Sequence, residues 1–156
     1  LGLVGSEMCI RDSYNLILSD RLSHLEYLMK HLPKELRDKS VMVDGKMTSK
    51  KGKAQREKAI EDMRAGKKHF LFATYALAKE GLDIPRLDRL YLVTPQKDYA
   101  VIAQSVGRVA RTFEGKVTPV VYDYVDNGIQ YLVRSFKKRC TTYRKLGCHW
   151  LEEAVM

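Results

Sequence analysis

Gln104, Gly107, Arg108 and Arg111 recur at three- and four-residue spacing in QSVGRVARTFEGK, residues 104–116. At about 100° per residue they share one face of a helix, with Ile102, Val106, Val109 and the flanking Ala110 roughly opposite. One face packs and the other reaches. A guanidinium is planar and permanently charged. Aimed at an anionic group, it would stabilise that negative charge. The same spacing also describes an ordinary solvated face, and the residues by themselves leave both readings open.

The elements that must position this face follow from periodicity. NLILS (15–19), VMVD (41–44), HFLFAT (69–74), RLYLV (89–93) and VVYDY (120–124) are short, mostly apolar runs bounded by polar or turn residues, the pattern of buried strands. Leu22, Leu25, Leu28, Met29 and Leu32 follow the first at helical spacing, after Ser19, Asp20 or Ser23 as possible caps. A charged helix is expected from about Gly52 to Arg64, ending at Gly66, and a third from Asp98 as its N-cap. In the last helix Ile129, Leu132, Val133 and Phe136 form the stripe expected to pack. Arg134, Lys137, Lys138, Arg144 and Lys145 face outward. Strands alternating with helices predict a mostly parallel sheet with helices on both faces. Ligands of such sheets gather at the carboxyl ends of the strands. Here those ends are Ser19 to Arg21, Gly45 to Lys51, Thr74 to Asp83 and the start of the helix after Val93.

The 156 residues, 45% of them hydrophobic, suffice for one core. The net charge of +9 favours a polyanionic partner such as nucleic acid, and composition alone equally allows a basic surface kept only for solubility. No apolar run approaches the ~18 residues of a membrane span. Cys9, Cys140 and Cys148 form no CxxC pair; even with His149 beside them, reduced thiols are expected and no metal is assigned. Residues 1–13, LGLVGSEMCIRDS, lack the basic start of a signal peptide. They resemble translated adapter sequence, so a non-native leader is expected there, then a domain at 14–146 and a tail at 147–156.

A phosphate loop needs four residues between its first glycine and a Gly-Lys-Ser/Thr end. GKMTSKKGKA, Gly45 to Ala54, has six and places Ala54 where the hydroxyl should stand. No strand ends in Asp-Glu to hold Mg²⁺. This chain by itself is not expected to hydrolyse a nucleotide.

NLILSDR, VMVDG, the helix from Arg56 to Gly66, FLFATYALAKEGLDIP and QSVGRVAR follow one another in the order and spacing of the C-terminal RecA-like domain of superfamily 2 helicases. The resemblance is closest to the DEAD/DEAH-like and type III restriction branch, including phage DNA helicases. Thr74 through Gly81-Leu82-Asp83-Ile84-Pro85 resembles motif V, and Gln104-x-x-Gly107-Arg108-x-x-Arg111 resembles motif VI. The resemblance implies an α/β, RecA-like fold and the C-terminal half of an ATP-dependent DNA helicase or translocase. Its ATP and Mg²⁺ would be bound mainly by its own N-terminal RecA-like domain, in the cytoplasm of a bacterium or phage-infected host. Arg111 is then an arginine finger for the γ-phosphate, Arg108 its support, and Gln104 a coupling residue. Gly81 and Asp83 lie toward the nucleotide, and Thr74 on the nucleic-acid backbone. Gly107 would let the other domain approach closely, or merely permit helix packing. Lys46, Lys50 and Lys51 are candidate phosphate contacts, and Tyr75 and Tyr99 candidate stacking residues or packed rings. The competing readings are an RNA helicase, or a stand-alone basic nucleic-acid-binding module with vestigial motifs.

Overall fold

The computed structural model describes residues 13–80 and 82–150. In chain order they form β1 (Asn15–Ser19), α1 (Leu22–Lys30), α2 (Lys34–Arg37), β2 (Ser40–Val43), α3 (Lys50–Arg64), β3 (Phe70–Thr74), α4 (Tyr75–Lys79), β4 (Arg89–Leu92), α5 (Tyr99–Val109), β5 (Val120–Asp123) and α6 (Gln130–Lys145). The strands make one sheet of order β2-β3-β1-β4-β5, and every pairing is parallel. Register carries Ser19 opposite Thr74 and Leu92 opposite Asp123, so the polar residues that end the strands line one edge.

Side chains alternate across the sheet. Leu16, Leu18, Leu71 and Ala73 enter the larger core with Ala59 and Met63 of α3, Leu77 of α4, and Val101, Ile102, Val106 and Val109 of α5. Ile17, Phe70 and Phe72 point the other way, against Leu25, Leu28 and Met29 of α1. Helices therefore cover both faces, and the central strands read as unbroken apolar runs because each face is buried. Gly66 ends the charged helix with φ +77, a left-handed conformation. A Cβ there would meet an Arg86 guanidinium nitrogen at 2.7 Å.

Three expectations are corrected. The buried face of α6 is Ser135, Arg139, Cys140, Thr142 and Tyr143, whereas Ile129 is exposed and Leu132, Val133 and Phe136 are only partly buried. Asp123 explains this. Its carboxylate, 9% exposed at the end of β5, accepts two bonds from Arg139, 1% exposed, at 2.7 and 2.8 Å, and one from the Tyr143 hydroxyl at 2.5 Å. Arg139 also donates to Ser135 Oγ and to the carbonyl of Gln96, so an ionic clasp seats the helix. Next, α1 begins after Arg21, without a side-chain cap from Ser19, Asp20 or Ser23. Last, α5 ends at Val109, so Arg111 stands beyond the helix and not within its last turn.

Candidate nucleotide-sensing site

Asp98 fixes the start of α5 as expected, its carboxylate accepting from the backbone N–H groups of Ala100 and Val101 at 2.8 and 3.3 Å. Val101, Ile102, Ser105, Val106 and Val109 are then driven into the core, and Ser105 satisfies its hydroxyl on the Val101 carbonyl at 2.7 Å. This burial leaves Gln104 and Gly107 exposed and Arg108 half-buried. A Cβ added at Gly107 would find nothing within 4 Å, so among the described residues no other helix packs against it.

Arg108 lies back across α4 and donates through Nε to the Ala78 carbonyl at 3.0 Å. Arg111 forms an ion pair with the Asp83 carboxylate, with side-chain exposures of 38% and 62%. The segment bearing Asp83 is held from the opposite side by α3. Arg64 Nε donates to the Asp83 carbonyl at 2.6 Å, and Arg56 pairs with Glu80 at 3.1 Å. Burial foremost, then the neighbouring Arg111, lowers the pKa of Arg108, while Asp83 draws it back up. The guanidinium keeps its charge throughout, so two cations share a rim with one carboxylate between them. Gly81 lies outside the described residues.

The other candidates sit at the strand ends. Thr74 closes β3 beside Ser19 and leads into α4 without a side-chain capping bond. Five-residue α4 thus spans the distance from Thr74 to the arginine rim. Lys46, Lys50 and Lys51 are exposed in the loop after β2 and the first turn of α3, where Ser49 accepts from Gly52 N–H at 3.0 Å. That turn carries no acid. The positive end of the helix dipole therefore adds to the lysine charges, and each costs on the order of 0.3–1 kcal/mol unless an anion relieves it. The two tyrosines differ: Tyr75 is buried with its hydroxyl on the Thr94 carbonyl at 2.8 Å, whereas Tyr99 is 51% exposed under Lys145. Tyr75 is therefore a packed ring.

Several supporting residues escaped the sequence reading: Arg56, Arg64, Lys116 and the Asp123–Arg139–Tyr143 clasp. Only the clasp left a trace, since Ser135, Arg139 and Tyr143 repeat every four residues. Among the described residues no three His, Cys, Asp or Glu side chains converge as metal ligands, and no helix is long and apolar enough to cross a membrane.

An all-parallel five-stranded sheet with helices on both faces, and with motif V and motif VI residues brought together beside α4, defines the RecA-like C-terminal domain of a superfamily 2 helicase. Residues 9–113 match the family described as "Helicase conserved C-terminal domain", and the chain belongs to it. It is 32% identical over 111 residues to "Putative helicase 22" of Sulfolobus islandicus filamentous virus, covering 71% of this chain and 20% of that protein. It is 31% identical over 91 residues to UvrABC system protein B of Bacillus licheniformis, covering 54% and 13%. The chain thus spans a fifth or less of these curated relatives. Among solved structures, the C-terminal domain of the DEAD-box protein Dbp5 superposes with a TM-score of 0.63 at 21% identity, over 86% of this chain and 71% of that one. S. cerevisiae Dbp5 bound to RNA and ADP BeF3 gives 0.65 at 20% identity, over 92% and 34%. These structural likenesses define the fold.

Proposed function

We propose that residues 14–146 form the second RecA-like domain of an ATP-dependent DNA helicase or translocase, and that Arg111 reaches the γ-phosphate of ATP held mainly by a preceding RecA-like domain. The observation that carries this reading is the meeting of Arg111 and Asp83, 28 residues apart in sequence, on an exposed rim with Arg108. An exposed ion pair contributes only about 0–1 kcal/mol. A triphosphate carrying several charges therefore displaces Asp83 from Arg111 when the domains close. Arg108, anchored on Ala78, supports the same anion and is relieved of its repulsion with Arg111. Gln104 transmits closure between domains, while Gly107 lets the other domain come close to α5. The released Asp83 lies toward the nucleotide, and Gly81 is assigned to the same contact. The Mg²⁺ that accompanies ATP finds no ligand set among the described residues and is assigned to the other domain.

Thr74 donates its hydroxyl to a backbone phosphate, and Lys46, Lys50 and Lys51 add contacts that do not read sequence. Because α4 joins Thr74 to the arginine rim, nucleotide state and nucleic-acid grip are mechanically linked. A second reading makes RNA the substrate, favoured by the likeness to Dbp5, which was solved with RNA. The test is ATP turnover of the full-length protein that carries this domain, with single-stranded DNA and RNA in separate reactions. DNA stimulation supports the reading, stimulation by RNA alone replaces the substrate, and stimulation by neither leaves a binding module.

A further inference from the structure

Lys116 closes the stretch QSVGRVARTFEGK that begins at Gln104, five residues past motif VI. Its backbone N–H donates to the Phe113 carbonyl at 3.0 Å, and Gly115, with φ +76, turns the chain back toward the end of α5. Nζ then donates to the carbonyls of Val109 at 2.6 Å, Arg111 at 2.6 Å and Pro85 at 3.0 Å. An ammonium has three protons, and all three are engaged. Val109 is the last residue of α5, where unpaired carbonyls and the negative end of the dipole favour a cation, and Arg111 follows two residues beyond it. Pro85 belongs to the segment that carries Asp83. A single side chain therefore ties the backbone of Arg111 to the backbone two residues beyond its ion-pair partner.

We infer that Lys116 is a positioning residue for the arginine finger, setting the origin and direction of the Arg111 side chain and holding motif VI in register with motif V. Only such a fixed origin lets a side chain outside the helix meet a phosphate at a defined distance. The ammonium sits in a partly dry place: burial pushes its pKa down, Asp88 draws it back up and Arg111 lowers it again. The carbonyl cage is what keeps the charge there. This inference rests on Arg111 being the finger, so its test must separate the two.

The test is a double-mutant cycle in the full-length enzyme: Lys116→Met, which keeps the stem and removes the donors, alone and with Arg111→Ala. ATP turnover and ATP affinity are both measured. Lys116→Met should lower kcat about 10- to 100-fold, the cost of a finger misplaced by about 1 Å. ATP affinity and the thermal midpoint should leave the enzyme bound and folded under assay conditions. Lys116→Arg, which keeps the charge and donors, should recover part of the rate. On the Arg111→Ala background, Lys116→Met should change kcat by less than about twofold, because the group it aims is gone. Equal losses with and without Arg111, or Lys116→Met within about twofold of wild type, would overturn the positioning role while leaving the finger intact. If Arg111→Ala itself turns over normally, the finger fails and the positioning role fails with it. Should Lys116→Met not fold, Lys116→Gln enters the same cycle and the same results decide.

Discussion

Alanine at position 107 should strengthen the domain and impair the enzyme. Gly107 lies inside α5, exposed, and among the described residues no atom outside its own helical backbone comes within 4 Å of where a Cβ would stand, so the methyl group meets no clash there. A glycine in a helix interior costs roughly 0.5–1 kcal/mol relative to alanine, and the lower figure applies near the end of α5. At about 2–4 °C per kcal/mol for a chain of this size, Gly107→Ala should raise the melting temperature by about 1–2 °C. In the proposed two-domain enzyme the same methyl group would stand where the other RecA-like domain closes. Near-attack geometry then loosens, and kcat/KM for ATP falls by about tenfold or more. Thermal melts of this chain and steady-state ATPase of the full-length protein measure the two effects. A destabilised chain would refute the propensity reasoning. A stabilised chain with unchanged turnover would refute the close approach.

Arg139→Met should cost about 3–5 kcal/mol in urea unfolding, because it strands the Asp123 carboxylate without its buried partner; a loss below about 1 kcal/mol would mean the clasp is dispensable. Burial raises the phenols of Tyr75, Tyr91 and Tyr143 well above their ordinary value near 10, with Asp123 adding to the effect at Tyr143. The native state then keeps protons that the unfolded chain releases, so stability falls as pH rises beyond about 10. Ultraviolet titration should show these phenols ionising together with unfolding; independent native titration near 10 would contradict it. Neutralising Lys50 and Lys51 together should weaken binding to all sequences alike and reduce the slope of log affinity against log salt by about 2. An unchanged slope would remove them from the backbone contact.

The strands were legible because the middles of parallel strands buried on both faces must be apolar, as LIL of β1 and FLFA of β3 are. The Asp98 cap was legible because its logic is local. Misreading of α6 came from the same premise: apolar periodicity selected Ile129, Leu132, Val133 and Phe136, while the helix is seated by a polar face whose partner, Asp123, comes from another element. At five residues, α4 is too short for any periodicity to declare it. The helical continuation to Arg111 failed for a comparable reason. No glycine or proline marks a stop at Ala110, and the carbonyls at the end of α5 are satisfied by Lys116, which arrives through a later turn. Residue identity at the candidate site could be read in advance. The anchoring of that site by Arg56, Arg64 and Lys116 depends on side chains reaching backbone or acids 5 to 31 residues away, which spacing does not encode.

The claim on which the rest depends is that Arg111 acts on a nucleotide held by another domain. Its most direct test is single-turnover ATP hydrolysis by the full-length protein with saturating nucleic acid, wild type against Arg111→Ala. The account predicts that ATP still binds and that the hydrolysis rate falls by about 10³-fold or more. Hydrolysis at the wild-type rate, with ATP bound and the domain folded, would contradict it.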